Sequence, residues 1–322
     1  MATMRTSPRL GWIGLGSMGN AMATNIHAYL SRSGAFLRFY NRTASRGDLL
    51  EASGGERCAS ISELASQCDI VFISASDDAA VESIIEQIIS SESGIADKII
   101  VDTTTVHPNT TKKISEKLSE HGAHFAATPV FGATPVAEQG KLLVAYAGPD
   151  NVYEAIAPYL KGVIAREVLL VGKEPEKAML LKTTGNFMMA GLMEIIAEAH
   201  VFAEKTGLGA DVLERLLELN FGTVAHSDSV RMTTGVYMPG KGEAPWSDLN
   251  LALKDVGHGV DSAKQVGVSL KVDNIALEHL KRAKLYSDEN GQRPLDSSSL
   301  YGIVRQDSGL DFRTDYVKKR DQ

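Results

Sequence analysis

Two groups of residues in this chain have types and spacings that could do chemistry. The first is Lys182 with Asn186, inside residues 176–205, EKAMLLKTTGNFMMAGLMEIIAEAHVFAEK. That stretch is rich in helix formers and free of proline, and Thr206-Gly207 closes it with a stop signal. Lys182 is the only charge between Lys177 and Glu194, and a spacing of four puts Asn186 on the same helical face. A buried ammonium is costly unless it is paired or has a task. Lys182 therefore either snorkels into water from the first turns or moves a proton. Burial favours the neutral amine, so such a lysine can take a proton from a hydroxyl and, as ammonium, give one to a carbonyl oxygen. The amide of Asn186 can hold that same oxygen.

The second group is Gly14-Leu15-Gly16-Ser17-Met18-Gly19. An apolar run over 9–15 reads as a strand before it, and a helical pattern over 20–30 follows. Strand, GxGxxG and helix in that order form the dinucleotide fingerprint in its required setting. The first glycine permits the tight turn, the second admits a pyrophosphate to the backbone, and the third lets the helix pack close, its N-terminus facing the anion. A second strand over 36–40 ends at Asn41-Arg42-Thr43, where an NAD site usually carries an acid for the ribose. A guanidinium between two neutral hydrogen-bonding groups suits a 2′-phosphate. An ordinary polar turn would explain Thr43 but not the missing acid. The expected cofactor is NADP, in preference to NAD.

The elements that must position these groups alternate. Ser60-Ile-Ser-Glu63 reads as a capping box, 69–74 as a strand, and Asp77-Asp78 as the cap of another helix rather than a catalytic dyad. A strand over 98–101 ends in Asp102-Thr-Thr-Thr105, Pro108 opens a helix to about 120, and a strand over 124–128 runs into a defined loop, Pro129 to Gly140. Strands over 142–147 and 168–171 complete the sheet. This predicts an α/β Rossmann domain with a doubly wound, mostly parallel sheet over 1–174. An all-α domain over 175–322, built on a long interdomain helix, should follow it. The helix middle is apolar on every side, which predicts burial all round. Further helices are expected over 211–219, 228–234, 249–266 and 274–287, with a polar, partly ordered tail from Gln306.

Composition narrows the function classes. A net charge of −7 argues against non-specific nucleic-acid or anionic-membrane binding. Cys58 and Cys68 have no metal-ligand spacing and are too few for a disulfide framework, so no metal is expected. The start, MATMRTSPRL, lacks the apolar stretch of a secretory signal, and the best apolar run is broken by Lys182, Asn186 and Glu194. A cytoplasmic protein acting on a small molecule is expected.

Four signals in one order, the glycine loop, Asp102-Thr-Thr-Thr105, Pro129-Val-Phe-Gly132 and Lys182-Thr-Thr-Gly-Asn186, resemble the β-hydroxyacid dehydrogenase family. This family includes 3-hydroxyisobutyrate dehydrogenase, glyoxylate/succinic semialdehyde reductases and 6-phosphogluconate dehydrogenase. The resemblance covers nearly the whole chain, including Asn250-Leu-Ala-Leu-Lys254-Asp255. It implies that Lys182 is the catalytic lysine with Asn186 orienting the reacting oxygen, and that the chain forms a homodimer. It further implies that the glycine loop holds the pyrophosphate and that Asn41, Arg42 and Thr43 hold the 2′-phosphate. Ser76 would lie near the ribose and bridging phosphates, Thr105 near the nicotinamide, and Lys254 would reach the cofactor. Periodicity alone, with Ala252, Val256, Val260 and Ala263 on the apolar face, leaves Lys254 on a solvated side. The substrate carboxylate site falls at Phe131-Gly132, followed by Ala133. There the family usually reads Pro-Val-Ser-Gly, so a hydroxyl donor is replaced by an apolar ring. Gly185 stands where 6-phosphogluconate enzymes have histidine, and imine reductases of similar architecture typically lack the lysine. The expected reaction is hydride transfer between NADP(H) and a 3-hydroxyacid or related aldehyde or ketone. An imine reductase or a non-catalytic dinucleotide-binding module are the alternatives.

Overall fold

The structure, a computed structural model, describes residues 8–91 and 93–322; the reading of the first seven residues lies outside them. The chain falls into two compact units that divide within the long helix, the first reaching Lys182 and the second running from Thr183 to Gln322.

The first unit alternates strands and helices. In chain order these are β1 (Leu10–Ile13), α1 (Ser17–Ser31), β2 (Arg38–Tyr40), α2 (Asp48–Ala52), β3 (Glu56–Arg57), α3 (Ile61–Gln67), β4 (Ile70–Ile73), α4 (Asp78–Ile89), β5 (Ile99–Asp102), α5 (Pro108–Glu120) and β6 (His124–Ala127). Then come β7 (Val130–Phe131), α6 (Thr134–Glu138), β8 (Leu142–Ala147), α7 (Asp150–Ile156) and β9 (Ala165–Gly172). The sheet order is β3-β2-β1-β4-β5-β6-β8-β7, with β9 beside β8. Strands β1 to β6 pair in parallel, and β8 turns antiparallel to β6 and β7.

The sequence explains why this sheet forms. β1 and β4 are buried at every residue, as a strand covered on both faces must be. Leu10 and Trp12 join Phe39, Phe72 and Met22 in one core, while Ile13, Val71 and Ile73 join Val81 and Ile114 in the other. Trp12 stacks on Phe72 with ring centroids 5.6 Å apart. Helix starts are set by side chains: Ser60 accepts from the Glu63 amide at 3.0 Å and Asp77 from the Ala80 amide at 2.9 Å. Asp77 and Asp78 are therefore structural. Asp78 also accepts from the His107 amide and the Thr110 hydroxyl, which ties α4 to α5. The expected loop over 129–140 contains more order than its prolines suggest, namely β7 and the short α6.

The long helix is α8 (Glu176–Thr206). In the second unit it is followed by α9 (Ala210–Leu216), α10 (Gly222–Thr233), α11 (Leu249–Gln265), α12 (Lys271–Glu289), α13 (Leu300–Asp307) and α14 (Asp315–Arg320). Three expectations need correction here. α8 is not buried all round, because Met188, Ile195 and Phe202 are 64, 56 and 67% exposed while Ala190, Met193, Ala197 and Val201 face the core. The helix expected from residue 228 begins at Gly222, where a φ of +80° follows a π-helical turn over Leu217–Phe221. The tail is ordered: Phe312 is 1% exposed, stacks on Tyr286 at 3.7 Å, and its carbonyl accepts from the Tyr237 hydroxyl. Among the described residues no helix is long and apolar enough to cross a membrane.

Candidate active site

The loops that leave the carboxyl ends of adjacent parallel strands form one stitched rim. Gly14 donates to the Tyr40 carbonyl at 3.0 Å, and the Leu15 amide donates to Asn41 Oδ1 at 2.7 Å. The Ser74 amide donates to the Ile13 carbonyl, and the Ala75 amide to Thr104 Oγ1, both at 2.9 Å. Thr103 Oγ1 donates to the Ile73 carbonyl at 2.7 Å, and buried Asp102 Oδ1 accepts from the Thr104 amide at 2.9 Å. Loops from β1, β2, β4 and β5 are thus held to one another. In a doubly wound sheet, ligands bind on this edge where the strand order reverses, here between β1 and β4.

Each glycine of the loop has a different constraint. Gly14 has φ +97°, and a Cβ there would lie 2.1 Å from the Ser74 carbonyl oxygen. A Cβ on Gly19 would lie 2.3 Å from the Gly14 carbonyl oxygen, so α1 could not approach β1 as closely. Gly16 has open space around it, adopts φ −67°, and precedes α1 with no side chain capping the helix. An uncapped helix start beside open backbone fits a pyrophosphate. Ser17 is exposed and Met18 half-buried at this start.

The other expected cofactor residues of the first unit follow the ends of these strands. Arg42 and Thr43 are exposed, while both ends of the Asn41 amide are engaged, Oδ1 by Leu15 and Nδ2 by the Thr43 carbonyl at 2.8 Å. The nearest acids in sequence, Asp48 and Glu51, are both bound to Arg57, which also reaches the Ala44 carbonyl and lies over Phe39. Ser76 is exposed and donates to Asp77 at 2.7 Å; Thr105 is half-buried.

On the first unit's last turn of chain, Lys182 Nζ lies 4.7 Å from the centroid of the Phe131 ring. Phe131 ends β7 and pairs with Leu143 of β8, and Gly132 then takes φ +131° with no room for a Cβ beside Leu142. Ala133 precedes α6 in extended conformation. The family resemblance put Phe131 at a substrate carboxylate site; its contact with the lysine links residues 51 apart and left no local signal.

In the second unit, Asn186 Nδ2 donates to Asp255 Oδ2 at 3.0 Å, and Lys254 Nζ pairs with Asp255 Oδ1 at 2.6 Å. Lys254 is partly buried, not solvated as periodicity alone suggests. Asp255 is the residue that sequence reasoning passed over, although it stands in the Lys-Asp pair itself. Its carboxylate accepts from the amide of Asn186 and pairs with an ammonium at once. Among the described residues no cluster of His, Cys, Asp or Glu could hold a metal.

The family profile described as the NAD binding domain of 6-phosphogluconate dehydrogenase matches residues 9–172. The profile described as NAD-binding of NADP-dependent 3-hydroxyisobutyrate dehydrogenase matches 177–303. The chain is 35% identical over 300 residues to the NADH-dependent oxidoreductase ucdB of Aspergillus ustus, covering 92% of this chain and 99% of that protein. It is 28% identical over 317 residues to the mitochondrial 3-hydroxyisobutyrate dehydrogenase of Drosophila melanogaster, covering 95% and 92%. Among solved structures, a Mycobacterium tuberculosis 3-hydroxyisobutyrate dehydrogenase with L-serine has a TM-score of 0.77 at 20% identity, over 93% of this chain and 100% of that one. An imine reductase from Pseudomonas sp. has a TM-score of 0.60 at 17% identity, over 92% and 99%; both likenesses are of fold.

Proposed function

The chain belongs to the β-hydroxyacid dehydrogenase family, NAD(P)-dependent oxidoreductases of CH–OH groups, and from that premise we propose an NADPH-dependent reductase of aldehydes or ketones in which Lys182 is the general acid. The observation that carries this reading is one uninterrupted helix bearing Lys182 and, one turn on, Asn186 already oriented by Asp255. Residues 1–174 are read as the nucleotide-binding domain and 175–322 as the helical domain.

The nicotinamide, when bound, supplies the hydride. The chain's own residues do the rest. The glycine loop and the start of α1 hold the pyrophosphate, and Arg42 grips the 2′-phosphate. Asn186 orients the carbonyl oxygen. As the carbonyl carbon gains the hydride, an N–H bond of Lys182 breaks and an O–H bond forms on the product alcohol. The neutral amine left behind takes its proton back from water. In oxidation the same amine is the base. A 2′-phosphate preference is supported by the exposed arginine at 42 and by the pairing of Asp48 and Glu51, the acids that follow it most closely in sequence, with Arg57. The Aspergillus relative is named for NADH, so affinities for NADH and NADPH have to be compared side by side. Phe131 in the carboxylate-binding position favours carbonyl compounds larger or less polar than small hydroxyacids.

The exposed apolar residues of α8, spaced by seven at Met188, Ile195 and Phe202, support a homodimer. Two buried free thiols, Cys58 and Cys68, accord with a reducing cytoplasmic setting.

The test is NADPH oxidation with aldehydes, keto acids and cyclic imines of graded size. Lys182→Ala should bind NADPH normally and lose turnover by about a hundredfold or more on the best carbonyl substrate. Near-normal turnover in that variant, or turnover of imines alone, would overturn the assignment; glyoxylate as best substrate would contradict the role given to Phe131.

A further inference from the structure

A lysine that gives a proton has to be held where the oxygen will be, and a four-carbon stem does not hold itself. One contact on Lys182 within the first unit is the face of an aromatic ring: Nζ is 4.7 Å from the Phe131 centroid, inside the range in which a ring quadrupole attracts a cation. Both residues are half-buried, so water screens the pair incompletely. The ring is itself fixed. Phe131 is locked into the ladder by its register with Leu143. Gly132 has a φ that an L side chain rarely adopts, and its missing Cβ lets the chain pass Leu142. Helix α6 then packs on α1, with Asn25 Nδ2 donating to the Ala137 carbonyl at 2.8 Å. A rigid strand end therefore presents the ring, and a flexible cation meets it.

We infer that Phe131 is a positioning residue for Lys182, its ring face holding the ammonium in the orientation from which the proton is given. This rests on the reading of Lys182 as acid and base, and it adds a preferred direction. A ring face attracts the ammonium and not the neutral amine. The pair therefore favours the proton-donating state, which serves reduction over oxidation. A serine at the same position could accept a hydrogen bond from the ammonium or donate one to a substrate carboxylate; the ring cannot donate to a carboxylate, but its face can hold the ammonium.

The experiment replaces Phe131 with mono-, di- and trifluorophenylalanine, which keep the ring's size nearly constant while weakening its attraction for cations, and with leucine. Turnover is measured at saturating NADPH with the fastest aldehyde or keto acid of the panel, in the native and Lys182→Ala backgrounds. In parallel, the protein is labelled with [ε-13C]lysine. The Lys182 ε-methylene proton resonance is identified by its loss in Lys182→Ala. We expect kcat to fall stepwise with fluorination, by about three- to thirtyfold at the end of the series, with the KM for NADPH unchanged. The Lys182 resonance should start upfield and move back along the same series, and the series should have no effect on the residual turnover of Lys182→Ala. A flat kcat series with an unmoved resonance overturns the inference. So does the same fractional loss in both backgrounds, which would mean the ring acts on substrate. If Lys182→Ala keeps its turnover, the acid–base reading fails instead, and the resonance series alone still decides whether the ring holds the ammonium.

Discussion

Arg42 and Asn41 are neighbours with opposite commitments. The Asn41 side chain is engaged inside the protein, clasping the glycine loop through the Leu15 amide, whereas Arg42 is exposed beyond the end of β2. Of these two, Arg42 is the one whose exposed side chain can be offered to a phosphate. Arg42→Ala should weaken NADPH binding by about 1.5–3 kcal/mol, the worth of a charge-assisted hydrogen bond, and barely change NADH binding. Titration of both cofactors by fluorescence checks this, and equal losses would remove the 2′-phosphate reading. Lys182, Asn186 and Arg42 were all visible in the sequence, because each is a polar residue in a place that needs a reason. The partners that orient them were not. Asn41 meets Leu15, Asn186 meets Asp255 and Lys182 meets Phe131 across 26, 69 and 51 positions, and such contacts exist only once the sheet and helices have formed.

At the scale of elements, the glycine loop separates folding from binding. Gly19→Ala forces a methyl to within 2.3 Å of the Gly14 carbonyl and so pushes α1 off β1. It should lower stability by about 1–3 kcal/mol, the usual cost of overpacking. Gly16→Ala meets nothing within 4 Å and needs no unusual φ, so its melting temperature should match the native protein's while NADPH affinity falls. Thermal melts with and without NADPH distinguish the two; a destabilised apo Gly16→Ala would show that the open space has a structural purpose. The strands and helices of the first unit were legible because short apolar runs alternate with glycine, proline and capping residues. In the second unit the signals thin out. The π-helical turn starts within the last residues of one expected helix, and Gly222, with its positive φ, falls in the gap before the next, where no residue signals that helix resumes. The outward stripe of α8 was hidden because its exposed and buried positions are equally apolar.

Several large apolar side chains of the second unit lie at its surface. Met188, Ile195 and Phe202 point outward, and so do Leu219 and Phe221 in the same unit. If a second copy covers this stripe, Ile195→Lys with Phe202→Lys should convert a species of twice the chain mass into a single chain, read by light scattering coupled to size exclusion. A native protein that already runs as one chain at micromolar concentration would sink the dimer.

The ring of Phe312 lies against Gly302, where even a Cβ would stand 2.3 Å away, and its backbone carbonyl is hydrogen-bonded by Tyr237. During synthesis Gly302 and Tyr237 leave the ribosome before the ring that fills the space between them. The first unit has all its strands by then and is free to fold on its own schedule. The second keeps this part of its core open until Phe312 emerges, so its packing is completed only near the end of synthesis.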